Sequence, residues 1–242
     1  GAGYSFAGIL YRFELSVTSG SATGETKAVH SFRVPIHAEF EMDSDADLEL
    51  AGVYGLNDDR TLEYAGGTVS GNQLVADLKH FGPYGVLFYK KSYSDLPISH
   101  PAYRAVVVLS AKHVLTGTGG DRFRPDRELT RAEFASMIAR AYGLSTGSNG
   151  SATAFRDIPP QAWYAPAIAA VTEAGIFRGK SAGRSDPDGV LTVKEFQMLR
   201  ERLAARARAV APTPTVPCKG TGNFVTRGEA AQALYELWRN LK

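Results

Sequence analysis

Three threonines in the second half of the chain each precede a glutamate by three positions. The pairs are Thr130–Glu133, Thr192–Glu195 and Thr226–Glu229. Threonine followed at this distance by glutamate is typical of a capping box, in which each side chain bonds the other residue's backbone amide at the start of a helix. The spacing therefore predicts three helix starts of the same kind.

Two of these helix starts carry an arginine at the first helical position, Arg131 and Arg227. A cation is mildly unfavourable there, because the amino end of a helix is the positive end of its dipole. Free amides at a helix start attract anions, and the planar guanidinium of arginine binds carboxylates at two points. We therefore predict an acidic ligand at these positions, with Arg131 exposed and its loss nearly neutral for folding. The other copy has Val193 there, followed by Lys194.

The residue patterns of enzymes and metal sites are weak by comparison. The five histidines are scattered and lack the spacing of zinc ligands or of a base beside a nucleophile, and the single cysteine, Cys218, has no partner. A calcium loop ending at Glu195 would begin with Arg184, a cation where a carboxylate is required. We assign no catalytic residue, metal or cofactor, although a hydrolase with two carboxylates meeting in space stays open as the alternative.

The elements that must position these residues differ between the two halves. Aromatic and β-branched residues, partly alternating with polar ones, predict strands in the first ninety residues, at 9–17, 32–42, 48–56, 73–81 and 84–90. Short strands separated by turn signals are typical of a β-sandwich. We predict an all-β sandwich over residues 1–92 and an all-α domain over 93–242, which makes the chain an α+β protein of two domains.

Charge divides in the same way. Residues 1–90 hold 6 Lys and Arg against 12 Asp and Glu, whereas the rest hold 21 against 13. A basic half favours an anionic partner, although a basic solvated helix surface is the simpler alternative. That alternative is favoured over nucleic-acid binding for the segment 200–209. The longest apolar run, 105–111, is too short to cross a membrane.

The second half repeats itself at a fixed spacing, which separates Asp95 from Asp157 and equally separates Gly117 from Gly179. We call this spacing the repeat period, and we place the repeats at 93–144 and 155–210, with a connector at 145–153. Each repeat has a first helix (102–115 and 163–177), a glycine-containing loop and a second helix.

A truncated third repeat, 211–242, keeps only its second helix, since Pro-rich sequence precedes Thr226. Helical hairpins that cannot bury their own faces are expected to pack on one another. We therefore predict that the repeats form one bundle.

These features resemble tandem S-layer homology motifs of bacterial surface proteins. The resemblance covers about 93–242 and rests on the order of Asp, aromatic, Ala-Ile, Gly, Phe-x-Pro-Asp and Thr-Arg-Ala-Glu, as in "FRPDRELTRAEF" and "FRDIPPQAWYAPAIAAVTEAGIFRG". It implies a pseudo-threefold helical bundle whose grooves bind secondary cell-wall polysaccharide, often through pyruvylated N-acetylmannosamine. The pyruvate carboxylate would account for the two arginines.

The resemblance also implies the ligand-binding residues. Arg131 and Arg227 match the family's binding arginine and Lys194 approximates it, while Trp163 matches the groove tryptophan or is a core residue. The expected set is completed by the opening aspartates, the loop glycines and two further side chains: Asp95, Asp157, Gly117, Gly179, Tyr103 and Arg178. The chain departs from the family pattern at Pro101, Val193 and the missing half of the third repeat.

The resulting hypothesis is a non-catalytic module at the outside of a bacterial cell. It would anchor its parent protein to anionic wall polysaccharide in the cell wall or surface layer, with self-association in that layer as a further candidate interaction. We expect no nucleic acid and no membrane insertion. The alternative is a wall-polysaccharide hydrolase, or an accessory carbohydrate-binding fragment of a surface glycanase.

Overall fold

The computed structural model describes residues 2–18, 26–29, 31–42, 47–145, 155–206 and 223–240. The chain divides into two compact units, Gly1–Lys91 and Ser92–Lys242. Strands build the first unit and helices the second, so the protein is of mixed α and β structure. Cys218, the Pro-rich stretch and nearly all of the predicted connector at 145–153 lie outside the described residues.

The strands described in the first unit are β1 (Ala2–Phe13), β2 (Leu15–Thr18), β3 (Thr26–Val29), β4 (Ser31–Glu41), β5 (Ala51–Leu56), β6 (Leu62–Gly66), β7 (Thr68–Ser70), β8 (Gln73–His80) and β9 (Gly82–Lys91). They pair in the orders β1-β9-β5-β6, β4-β8-β7 and β2-β3. The sequence did not identify β3, β6 and β7. The first three residues of the predicted strand 48–56 form a 3-10 turn instead.

One hydrophobic core joins the two larger sheets of the first unit. On β8 the buried residues are Leu74, Ala76 and Leu78, and they alternate with more exposed ones. This alternation is expected of a strand with one face inward. They share a core with Phe40 of β4 and Val53 of β5. The two sheets therefore bury their apolar faces together.

The helices described in the second unit are α1 (Tyr103–Ala111), α2 (Arg131–Ala141), α3 (Ala165–Glu173), α4 (Val193–Arg206) and α5 (Arg227–Asn240). The first helix of each repeat ends earlier than predicted, because the chain adopts left-handed backbone at His113 (φ 56°) and at Gly175 (φ 72°). The next amide bonds back to the helix, from Val114 to the Leu109 carbonyl at 2.9 Å and from Ile176 to the Val171 carbonyl at 3.0 Å. This is the Schellman ending, and it turns apolar residues beyond the helix back onto the core.

The residues just before the three second helices bind one another in a closed ring. The Leu129 amide donates to the Val225 carbonyl at 2.9 Å, the Val225 amide to the Leu191 carbonyl at 3.0 Å, and the Leu191 amide to the Leu129 carbonyl at 2.8 Å. All three residues are completely buried. We call Leu129, Leu191 and Val225 the central ring; it brings α2, α4 and α5 to a common starting point above one apolar core.

Candidate functional site

All three predicted capping boxes are confirmed. Each glutamate amide donates to its threonine hydroxyl, at 3.3, 3.2 and 3.2 Å for the first, second and third copies. Each threonine amide donates to its glutamate carboxylate, at 3.1, 3.1 and 2.9 Å. The Thr and Glu of this pattern therefore build the helix starts.

The next amides of these helices are not free, contrary to our prediction of an anion-binding helix start. In α2 the amides of Arg131 and Ala132 donate to the carbonyls of Gly189 (3.0 Å) and Pro187 (2.9 Å) in the second repeat. In α5 the amides at 227 and 228 likewise donate to the carbonyls at 127 and 125, in the first repeat. A loop of another repeat satisfies these donors, so an anion has no vacant amides to bind there.

Arg131 is buried rather than exposed, with 4% of its surface accessible. Its Nε donates to the Ser185 carbonyl at 2.8 Å and its Nη2 to the Arg178 carbonyl at 3.1 Å. Its Nη1 lies 3.3 Å from Oε1 of Glu195. The prediction that this side chain is exposed is therefore wrong: Arg131 joins the loop of the second repeat to the helix of the first.

Arg227 repeats these contacts on the first repeat, and it is 3% exposed. Its Nε donates to the Phe123 carbonyl at 3.0 Å, its Nη2 donates to the Thr116 carbonyl at 3.1 Å, and its Nη1 lies 3.3 Å from Oε1 of Glu133. Each of these partners stands one repeat period before the corresponding partner of Arg131. The two arginines thus make the same set of contacts, Arg227 with the first repeat and Arg131 with the second.

Burial lowers the pKa of both arginines from the ordinary value, and in each case the nearby glutamate opposes this shift by favouring the charged form. Arginine keeps its proton in proteins because its unperturbed pKa is so high. Both sites therefore hold a buried positive charge beside one carboxylate. The pKa of Glu195 falls below its usual range: burial raises it, but hydrogen bonds from Thr192 and the charge of Arg131 outweigh that effect.

Asp95 and Asp157 hold the same loops from the other side. The carboxylate of Asp95 accepts hydrogen bonds from the amides of Phe123 and Arg124, both at 2.8 Å. Asp157 accepts from the amides at 185 and 186, at 2.9 and 2.7 Å. Burial raises the pKa of each aspartate, yet these amides lower it overall. The aspartates thus organise the loops.

Gly117 and Gly179 stand where those loops fold tightly on themselves. A β-carbon on Gly117 would lie 2.8 Å from the Arg122 carbonyl oxygen and 2.9 Å from the ring of Tyr93. On Gly179 it would lie 2.7 Å from the ring of Phe155. Any side chain would force the loop open, so these glycines allow the backbone to approach the protein's own residues closely.

A first groove, with a volume of about 460 Å³, opens beside Gly117. The loop and second helix of the first repeat form most of it, while Arg227 comes from α5 and Trp163 from the segment before α3. Its lining residues are Thr116, Gly117, Thr118, Arg124, Arg127, Glu133, Ser136, Met137, Arg140, Trp163 and Arg227. Four arginines face one glutamate here, and Glu133 contacts Arg127 as well as Arg227. Trp163 is 64% exposed, so it is not a core tryptophan.

A second groove, with a volume of about 280 Å³, lies at the corresponding place on the second repeat. It is lined by Arg131, Phe177, Arg178, Gly179, Lys180, Glu195, Met198, Leu199 and Arg202. Most of these residues stand one repeat period after a lining residue of the first groove. Lys180 is held by Asp186, with Nζ 3.0 Å from Oδ2, and no tryptophan or tyrosine is among the lining residues.

The predicted site residues thus fall into groups. The first groove takes Arg227, Trp163 and Gly117, and the second takes Arg131, Arg178 and Gly179. Asp95 and Asp157 support the loops behind them. Lys194 is exposed, Tyr103 packs half-buried against the helical core, and neither lines these two grooves.

Sequence reasoning missed three cations of the first groove: Arg124, Arg127 and Arg140. A signal was available for Arg140, because Arg202 follows it by the repeat period and lines the second groove. Arg140 donates to the Thr116 hydroxyl at 3.3 Å, and Arg202 donates to a carbonyl, that of residue 176, at 3.0 Å. Arg124 and Arg127 lie in the loop, and the residues one repeat period after them are not cations. The repeat therefore gave no signal for these two arginines.

The described ranges also bear on membrane spans and metal sites. None of the helices described is long and apolar enough to cross a membrane. Among the same residues, no three or more His, Cys, Asp or Glu side chains are placed to hold a metal ion.

The geometry defines a protein built of helical repeats, with grooves completed by residues from more than one repeat. The S-layer homology domain family matches residues 92–135 and 154–192 of the chain. These two segments are therefore S-layer homology motifs, as the sequence resemblance predicts. The third helix start, at Thr226, lies outside the matched residues.

Curated relatives point to the same family. The chain is 32% identical over 147 residues to an S-layer protein of Bacillus thuringiensis subsp. finitimus, covering 61% of this chain and 18% of that protein. It is 40% identical over 85 residues to a cellulosome-anchoring protein of Acetivibrio thermocellus, covering 34% and 19%. An amylopullulanase of Thermoanaerobacterium thermosulfurigenes is 28% identical over 148 residues, covering 57% and 8%.

The chain thus spans less than a fifth of the length of these relatives. The matches indicate a location at the cell surface or in the cell wall. The amylopullulanase is much longer than the matched segment, so its enzyme name carries no activity over to this chain.

Proposed function

We propose that the second unit anchors its parent protein at the cell surface by binding anionic, pyruvylated cell-wall polysaccharide in its grooves. The family and the relatives support the coarser part of this statement, a surface-anchoring module, since S-layer and cellulosome-anchoring proteins share the matched region. The polysaccharide and its charged group are inferred from the chemistry of the grooves.

The observation that carries the proposal is the first groove, in which four arginines outnumber one glutamate beside an exposed tryptophan. Guanidinium groups bind carboxylates by paired, charge-assisted hydrogen bonds. A tryptophan ring offers a broad apolar face, which suits the C–H face of a sugar ring. A sugar that carries a carboxylate matches both features, whereas an uncharged glycan would leave the excess positive charge without a partner.

The finer architecture belongs to the same proposal. We infer that the second unit is a pseudo-threefold bundle with a degenerate third repeat and that the first unit is a β-sandwich. The central ring and the two matching arginine sites support the threefold relation. The core shared by two sheets supports the sandwich.

The test is co-sedimentation of the full chain with purified cell-wall sacculi, with and without prior removal of the pyruvate ketal by mild acid. We expect binding to intact walls and a loss of at least tenfold in affinity on depyruvylated walls. Binding should also weaken with salt, because exposed charges are screened over about 10 Å at 0.1 M. Polyglutamate serves as the control: equal binding to that polymer would reduce the site to a non-specific patch, and equal binding to depyruvylated walls would remove the carboxylate.

A further inference from the structure

A complete groove is built from three parts of the chain, each of which belongs to a different repeat. One repeat supplies the glycine loop and the second helix. The helix start of another repeat supplies the buried arginine. A third contribution, from the segment before a first helix, closes the side of the groove. For the first groove these are the loop at Gly117, Arg227 and Trp163.

The second groove has two of these contributions. It keeps its loop at Gly179 and the buried Arg131. The residue equivalent to Trp163 would have to come from a first helix of the third repeat. Thr226 follows Thr192 by little more than half the repeat period, and the sequence between them includes "APTPTVPCKGTGN". Proline-rich sequence of this kind cannot supply a first helix.

The wall of the second groove also differs chemically. The hydroxyls of Thr118 and Ser136 in the first groove correspond to Lys180 and Met198 in the second. Lys180 is engaged by Asp186, and Met198 is 41% exposed. Met198 therefore puts an apolar surface where the first groove has a hydroxyl, and the one aromatic residue that lines the second groove, Phe177, is 2% exposed and offers no platform for a sugar.

A third groove, built on the third repeat, would lack both its arginine and its aromatic residue. Val193 stands at the helix start where the other copies have arginine, and Pro101 stands one period before Trp163. Both would serve a groove built on the third repeat, whose sequence is shortened before Thr226. The losses thus fall on one groove rather than at random over the three.

We propose that each chain holds a single carboxylated-glycan site, the first groove, and that the second repeat provides its sugar platform, Trp163. The proposal rests on the function proposed above and fixes its stoichiometry and location. It gives Arg227 a larger part in binding than Arg131, because Arg227 belongs to the complete groove.

The test uses exposed side chains, since replacing either buried arginine would disturb the fold. Trp163→Ala and Arg124→Ala alter the first groove. Arg178→Ala is the matched control in the second groove: its side chain is exposed, while the contact with Arg131 uses its backbone carbonyl and survives the substitution. The probe is a synthetic pyruvylated N-acetylmannosamine disaccharide, titrated into the full chain by calorimetry.

We expect one site per chain, with affinity lowered about tenfold by Trp163→Ala, which corresponds to ~1.4 kcal/mol. Arg124→Ala should lower it at least as much, and Arg178→Ala less than twofold. Tryptophan fluorescence gives an independent readout, because the chain has two tryptophans and Trp238 packs half-buried against the helical core. The ligand should change the emission of the parent protein but not of Trp163→Ala.

Two sites of similar affinity, or a larger loss from Arg178→Ala than from Trp163→Ala, would overturn the single-site proposal while leaving carboxylate recognition intact. Equal affinity for the disaccharide without its pyruvate would instead overturn the proposed function. A parent protein that binds neither disaccharide contradicts both.

Discussion

Arg131 and Arg227 make the same contacts on successive repeats, whereas the third equivalent position holds Val193. The two arginines each bind two loop carbonyls and one glutamate. The Val193 amide donates to the carbonyl of Asn223 at 2.9 Å, but its side chain has no charge to offer. The comparison teaches that the arginine accompanies the loop of a full repeat, and that it is absent at the helix start that faces the shortened third repeat.

The largest effect should come from the two arginines. Arg131→Ala is expected to lower the free energy of unfolding of the second unit by roughly 3–5 kcal/mol, because it leaves Glu195 without its buried partner and two carbonyls unpaired. Arg227→Ala should cost less than Arg131→Ala, since Arg127 also contacts Glu133. Urea unfolding followed by helical circular dichroism measures both.

Lys194→Ala is the control for these variants. Lys194 is exposed and lies at a helix start, so its loss should change stability by no more than about 0.5 kcal/mol. An Arg131→Ala protein as stable as this control would mean that the arginine contacts do not hold the loop.

The next effect concerns the aspartates on the opposite side of the loops. Their pKa values are lowered on folding, so the stabilisation is present above the unfolded value of about 3.9. It is lost as the pH falls through the lower folded value. We expect the second unit to lose stability below about pH 4, and Asp157→Asn to be less stable at pH 7 with a weaker dependence on acid. Urea midpoints at pH 7 and pH 3 decide it, and parallel curves for parent and variant would contradict it.

A smaller effect is expected from the capping boxes. Thr130→Ala should cost about 1 kcal/mol, because it removes the acceptor of the Glu133 amide. Thr130→Ser keeps the hydroxyl and should recover most of that loss. Thermal unfolding of the three proteins makes the measurement, and a serine variant as unstable as the alanine one would assign the loss to packing of the methyl group instead.

The smallest effect is expected at Val193, the helix start that has no arginine. Val193 is only half-buried and its side chain carries no charge, so Val193→Ala should change stability by about 0.5 kcal/mol. Its backbone bond to Asn223 is kept. Urea unfolding makes this measurement as well. A loss of unfolding free energy as large as that of Arg131→Ala would show that the helix start at Val193 is held as firmly as the other two.

Local sequence pattern was sufficient for the capping boxes and the repeat. A threonine and a glutamate three positions apart decide a helix start by themselves, and all three starts form as predicted. The helix ends were predicted less well, because His113 adopts a left-handed backbone that is uncommon for a residue other than glycine.

The burial of the arginines could not be read from local pattern. Arg131 reaches a carbonyl 54 residues away and Arg227 reaches one 111 residues away. An arginine at the first helical position is exposed in an isolated helix, and only the central ring brings another repeat's loop over it. The composition of the grooves has the same origin, since Trp163 and Gly117 belong to different repeats.

Asp95 also has a mechanical consequence. It lies three positions beyond Ser92, where the second unit begins, and its carboxylate holds the amides of Phe123 and Arg124 in the loop of the first groove. Tension applied to an anchored chain through its first unit would enter the second unit at this point. Two hydrogen bonds thus join the first residues of the second unit to the loop of the proposed glycan site. If that site binds the wall as proposed, the force would cross only a small part of the unit.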